Sequence, residues 1–74
     1  MKLTADQEAD VLHVRLVDIP VEESEEVAPG VIVDYDESSR VVGIEILGLS
    51  KRRSPVNPLD FQFQFTSKMP AQTE

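Results

Sequence analysis

The chain has 74 residues, seven basic against fourteen acidic side chains, a net charge of −7 and no cysteine. One small domain is all that this length holds, and a domain of this size has about 4–11 kcal/mol of stability at most, with no disulfide or thiolate zinc site to supplement its packing. No run approaches the roughly 18 apolar residues of a membrane span, and the start MKLTADQEADVLHVRL carries acids where a signal peptide has a basic region and an apolar core. The composition therefore predicts a cytoplasmic protein without a membrane partner.

Residues 1–37 hold eleven acids against Lys2 and Arg15, a balance of −9, whereas the remainder carries five bases against three acids, a balance of +2. An acidic half repels phosphate, and Lys51, Arg52 and Arg53 are too few for a basic footprint, so no direct nucleic-acid binding is expected. The acidic half would instead steer toward a basic protein.

In chain order, Lys2 to Thr4 reads as a short strand and Ala5 to Asp10 as a polar turn. Val11 to Val17 alternates, with Leu12, Val14 and Leu16 on the core side and His13 and Arg15 on the other. Pro20 cannot donate to a central ladder. Val21 to Val27 carries four glutamates around Ser24 and reads as an edge strand or extended loop, with strand, helix and loop all open. Ala28-Pro29-Gly30 has the order of a type II turn, proline followed by a residue of positive φ.

Gly30 to Leu47, GVIVDYDESSRVVGIEIL, specifies a β-hairpin. Pairing Tyr35 with Val42, Val33 with Ile44 and Val31 with Ile46 places six apolar side chains on one side, joined by a four-residue loop from Glu37 to Arg40. A one-residue slip would set them against Asp34, Gly43 and Glu45, and a two-residue slip would strand Ile46. Gly43 marks a bulge or a close backbone approach. Beyond Gly48, two prolines forbid a long helix, and Asn57-Pro58-Leu59-Asp60 resembles the start of a single helical turn. Phe61, Phe63 and Phe65 alternate with glutamines as in a half-buried strand, each ring contributing roughly 1.5–3 kcal/mol if buried. Residues 66–74 read as a flexible tail.

These elements predict a mainly β fold over residues 1–74: a single antiparallel twisted sheet, a meander of about five to six short strands, with at most one short helical turn. The alternative is an α+β fold with one short C-terminal helix. Leu12, Val14, Leu16, Val31, Val33, Tyr35, Val42, Ile44 and Ile46 make the expected core. The opposite side then carries Val11, Val17, Ile32, Val41 and Leu47 among His13, Arg15, Asp34, Asp36 and Glu45. It is either an interface or a face covered by the phenylalanine segment.

His13 is the only histidine. With no second imidazole or cysteine to complete a typical zinc or nucleophilic site, it reads as a solvated strand residue. Asp34 and Asp36 share a strand face, and Asp-Tyr-Asp-Glu-Ser-Ser lacks the length and glycine of an EF-hand loop. The serines have no nucleophile-elbow context. The sequence thus assigns no catalytic residue, no cofactor and no metal ligand. It favours a noncatalytic protein-binding module with Ile32, Asp34, Asp36, Val41, Glu45 and Leu47 as the contact residues. One alternative is an enzyme or metal-dependent module using His13 with nearby carboxylates, and another is a structural homodimer through edge pairing or second-face burial.

The opening strand and turn with Ala9-Asp10, Glu25-Glu26-Val27, Pro29-Gly30 before Val31-Ile32-Val33-Asp34-Tyr35-Asp36, and Arg40 to Leu47 together resemble the YuzE-like family of small prokaryotic proteins, domain of unknown function 2283. The resemblance covers about residues 1–53. It implies no activity and no catalytic residues. It does imply an antitoxin-like partner for a small basic toxin. Pro55 and Pro58 depart from the more helical end of such relatives.

Overall fold

The computed structural model of the protein describes residues 1–67. Its five strands are β1 (Lys2–Asp6), β2 (Val11–Arg15), β3 (Glu23–Ala28), β4 (Val31–Tyr35) and β5 (Val41–Leu47), and a 3-10 turn at Leu49–Lys51 follows them. They form one antiparallel sheet in the order β1-β2-β5-β4-β3. The fold is mainly β, as the alternation predicts.

The order departs from a simple meander at one point, where β2 pairs with β5 and not with β3, so that β2 to β5 take the Greek-key order. Side-chain chemistry accounts for this. Alongside β5, Leu12 faces Ile46 and Val14 faces Ile44, whereas the glutamate-rich β3 would put charges into the middle of the sheet. At the edge, β3 keeps those charges in water and guards an unpaired strand against aggregation. Residues 16–22 make the crossing, pinned by the Arg15 guanidinium, which donates to the carbonyls of Val17 at 2.9 Å and Ile19 at 2.8 Å.

The β3/β4 turn has Gly30 at φ +77°, as a type II turn after Pro29 requires, and Gly30 N–H donates to Glu26 Oε2 at 3.0 Å. The β4/β5 loop is tighter than the expected four residues. Asp36 N–H donates to Arg40 C=O at 2.9 Å, Ser39 N–H donates to Asp36 C=O at 3.0 Å, and Ser39 takes φ +63°, leaving Glu37 to Ser39 as a three-residue loop. Asp36 Oδ1 accepts from the N–H groups of Ser38 (2.8 Å) and Arg40 (2.9 Å), which holds this turn closed.

A loop one residue shorter would flip one strand's faces unless the extra residue is absorbed, and a bulge absorbs it. Tyr35 faces Val41 in place of the expected Val42, while Val31 faces Ile46 and Val33 faces Ile44 as the sequence specifies. Val42, the additional residue, is 1 % exposed and its C=O accepts from Leu16 N–H at 2.8 Å.

The core is thinner than the sequence suggests. Among the described residues, Val42 and Leu49 are the buried hydrophobic side chains. Leu12, Val14, Val31, Val33, Tyr35, Ile44 and Ile46 do share one face but are only half-buried, and Leu16 is exposed beyond the end of β2. Phe61, Phe63 and Phe65 form no strand and are 59 %, 71 % and 68 % exposed. Period-two alternation permits a strand but supplies no neighbour for it. At Asn57 the chain makes one closed turn, with Asp60 N–H on Asn57 C=O at 2.9 Å and Leu59 N–H on the capping Asn57 Oδ1 at 3.0 Å, and it does not continue as a helix. The 3-10 turn at Leu49 is anchored by Asp10, whose carboxylate accepts from Ser50 Oγ–H at 2.8 Å and whose C=O accepts from Gly48 N–H at 2.9 Å. Of the predicted 66–74 tail, Thr66 and Ser67 have no regular structure, and residues 68–74 lie outside the described residues.

Candidate functional site

The register sorts side chains onto two unlike faces. Leu3 and Ala5 of β1, Leu12 and Val14 of β2, Ile44 and Ile46 of β5, and Val31, Val33 and Tyr35 of β4 share the apolar face. Glu23 and Glu25 extend it at the β3 edge, opposite Tyr35 and Val33. With strands about 4.8 Å apart and residues about 3.4 Å apart, four apolar strands present roughly 300–400 Å² in projection. The described chain has no helix or second sheet to lie over them.

The polar face carries a convergent cluster. His13 sits opposite Glu45, and Asp34 sits opposite Gly43 and Ser24. Strand order β2-β5-β4 brings His13 and Asp34 together across β5. One ligand atom from each of His13, Asp34 and Glu45 lies within 4.8 Å of the others. His13 Nε2 is 3.8 Å from Asp34 Oδ2, too long for a hydrogen bond, and this buried nitrogen has no hydrogen-bond partner. Asp34 is 2 % exposed, and Ser24 Oγ–H donates to its Oδ1 at 2.6 Å.

Gly43 makes the convergence possible. A Cβ there would lie 3.1 Å from Asp34 Oδ2, 3.3 Å from Val14 C=O and 3.4 Å from His13 Nε2. The glycine thus sits next to the Val42 bulge and also leaves room for two side chains from neighbouring strands. Burial, then a hydrogen bond to Asp34 and the charge of Asp34, push the Glu45 carboxyl above the usual carboxylate range, with His13 acting in the opposite sense. A shallow depression bordered by Thr4, Asp6, Val11, His13 and Glu45 opens beside the cluster.

Ser24, Asp34 and His13 do not form a nucleophilic triad, because the carboxylate stands between serine and imidazole, whereas the base must touch the serine. Of the residues the sequence nominates for contact, Ile32, Asp34, Glu45 and Leu47 share the polar face, but Asp34 is buried and Asp36 is engaged in its turn. Val41 stands beside the bulge, 43 % exposed. The strand alternation does place His13, Asp34 and Glu45 on one side. Their meeting depends on the β2-β5-β4 order, which no local pattern reveals. A larger depression of about 600 Å³ between residues 7–10 and 49–58 has Asp10 in its wall, already bonded to Ser50.

Residues 2–50 match the family described as "Protein of unknown function (DUF2283)", which covers β1 to β5 and the start of the 3-10 turn. The chain belongs to the DUF2283 family. The matched span contains every residue of the His13 cluster and of the apolar face, and it ends before Lys51-Arg52-Arg53 and the phenylalanines. No curated protein and no solved structure matches the chain.

Proposed function

We propose that this DUF2283 protein is a noncatalytic protein-binding module that docks a basic protein on the apolar face of its sheet. The observation that carries this reading is that, among the described residues, no second sheet or α-helix accompanies the face of Leu12, Val14, Val31, Val33, Tyr35, Ile44 and Ile46, all half-buried. Domains are ordinarily two packed layers, and a continuous apolar patch of a few hundred Å² on a small domain marks an interaction surface. Glu23 and Glu25 border the patch on the β3 edge, and the N-terminal half is strongly acidic, so complementarity favours a partner with an apolar patch flanked by lysine or arginine. On the opposite face Asp34 is buried and Asp36 closes a turn, which leaves neither carboxylate free for a basic partner. An antitoxin-like role, masking a small basic toxin, is the most concrete form of this reading.

The test compares the wild-type chain with a folded Val33→Glu variant in co-purification from the native host and in sedimentation. The reading predicts a basic protein that binds directly, weakens as salt rises, and is lost with Val33→Glu. A dimer of this chain disrupted by Val33→Glu would replace it with self-association, and an unchanged partner set in the variant would overturn it.

A further inference from the structure

We propose that His13, Asp34 and Glu45 form a binding site for a divalent transition-metal cation of the zinc type on the polar face of the sheet, independent of the docking face. Their three ligand atoms lie within 4.8 Å of one another on three adjacent strands. Tetrahedral zinc with bonds of about 2.0–2.1 Å places its ligands about 3.4 Å apart, so the 3.8 Å between His13 Nε2 and Asp34 Oδ2 needs only a small contraction around an ion. The longer Glu45 side chain closes the third position.

The buried His13 Nε2 has no hydrogen-bond partner, and a metal bond satisfies it. Ser24 Oγ–H on Asp34 Oδ1 fixes the carboxylate with Oδ2 turned toward the histidine, the arrangement by which an outer hydrogen bond orients a ligand. Gly43 lacks the Cβ that would stand 3.1 Å and 3.4 Å from those two ligand atoms. The pair of carboxylates offers the negative charge that a divalent cation cancels. The imidazole selects against magnesium and calcium, which take oxygen ligands, and favours zinc or another nitrogen-binding ion such as ferrous iron. Three protein ligands leave a further position for water, reached from the depression beside Glu45.

His13 is the only histidine, so its ring proton signals in an NMR spectrum report this site unambiguously. Zinc chloride titrated into the purified full chain is expected to shift those signals saturably, with one ion per chain by calorimetry, while magnesium chloride at the same concentration leaves them in place. His13→Gln is expected to abolish the calorimetric signal. Glu45→Gln and Ser24→Ala each lower affinity by about tenfold or more, and Glu23→Gln on the other face leaves it unchanged. Glu45 is only half-buried, so its variant carries the test where an Asp34 variant fails to fold. Absence of a saturable His13 shift, or equal zinc affinity in wild type, His13→Gln and Glu45→Gln, would overturn the assignment.

Discussion

Gly43→Ala probes the point on which the polar face is built. The added methyl meets Asp34 Oδ2 at 3.1 Å, Val14 C=O at 3.3 Å and His13 Nε2 at 3.4 Å, each tighter than or at the edge of ordinary van der Waals contact. Val14 C=O belongs to the backbone of β2, and Asp34 is held at its other oxygen by Ser24, so neither retreats without breaking a bond. Overpacking of this kind costs about 1–3 kcal/mol, and the reduced freedom of the unfolded chain returns about 0.4–1 kcal/mol. The net expectation lies within about 0–2.6 kcal/mol of loss, centred on about 1.3 kcal/mol, or a fall in Tm of roughly 5–10 °C for a domain of this size. Urea unfolding followed by circular dichroism measures it. In an Asp34→Ala background the nearest atom is gone, and the same substitution is expected to cost less. A Gly43→Ala protein as stable as the wild type, or an equal cost in both backgrounds, would refute the claim that Gly43 makes room for the cluster.

For the metal-free protein, the raised Glu45 pKa means that the folded chain keeps a proton which the unfolded chain releases near the ordinary value of 4.5. Stability therefore falls as pH rises from that value through the higher folded one, then levels off. Glu45→Gln is expected to remove that part of the fall, and urea midpoints across acidic to neutral pH in a chelator would show it; parallel pH profiles would count against it. Asp10 takes φ +61° and accepts from Ser50 and Gly48 to hold the 3-10 turn. Asp10→Ala keeps the backbone bond to Gly48 but loses the carboxylate bonds to Ser50, at an expected cost of about 1–3 kcal/mol read by thermal unfolding, and a neutral result would show that the carboxylate does not hold the turn. Replacing Phe61, Phe63 and Phe65 together by serine is expected to change stability by less than about 0.5 kcal/mol, because their rings are exposed. A loss of several kcal/mol in the same assay would mean that they pack as the strand their alternation suggests.

Where one residue's neighbours along the chain decide its environment, the sequence is readable. The alternation at Val11 to Arg15, Val31 to Tyr35 and Val41 to Leu47 yields both faces, and the glutamates of β3 consign it to an edge. The β4/β5 register is readable for Val31 and Val33 but not for Tyr35. Ser39 in the left-handed conformation shortens the loop, and the Val42 bulge then absorbs the difference. Strand order is not local information, so the pairing of β2 with β5, and with it the meeting of His13 and Asp34 across Gly43, is absent from any pattern. Leu49 is buried by a clamp from Asp10, forty residues away from Ser50, and no periodicity announces it. The phenylalanines fail for the converse reason, since their strict period has no partner strand to act on.

Docking on the open apolar face is directly measurable. Amide NMR of the isotopically labelled chain, titrated with the basic protein that co-purifies with it, maps the contact residue by residue. The docking reading predicts perturbations clustered at Leu12, Val14, Val33, Tyr35, Ile44 and Ile46 with Glu23 and Glu25. A cluster centred on the polar face, or on the segment from Lys51 to Phe65 with the apolar face silent, would contradict it.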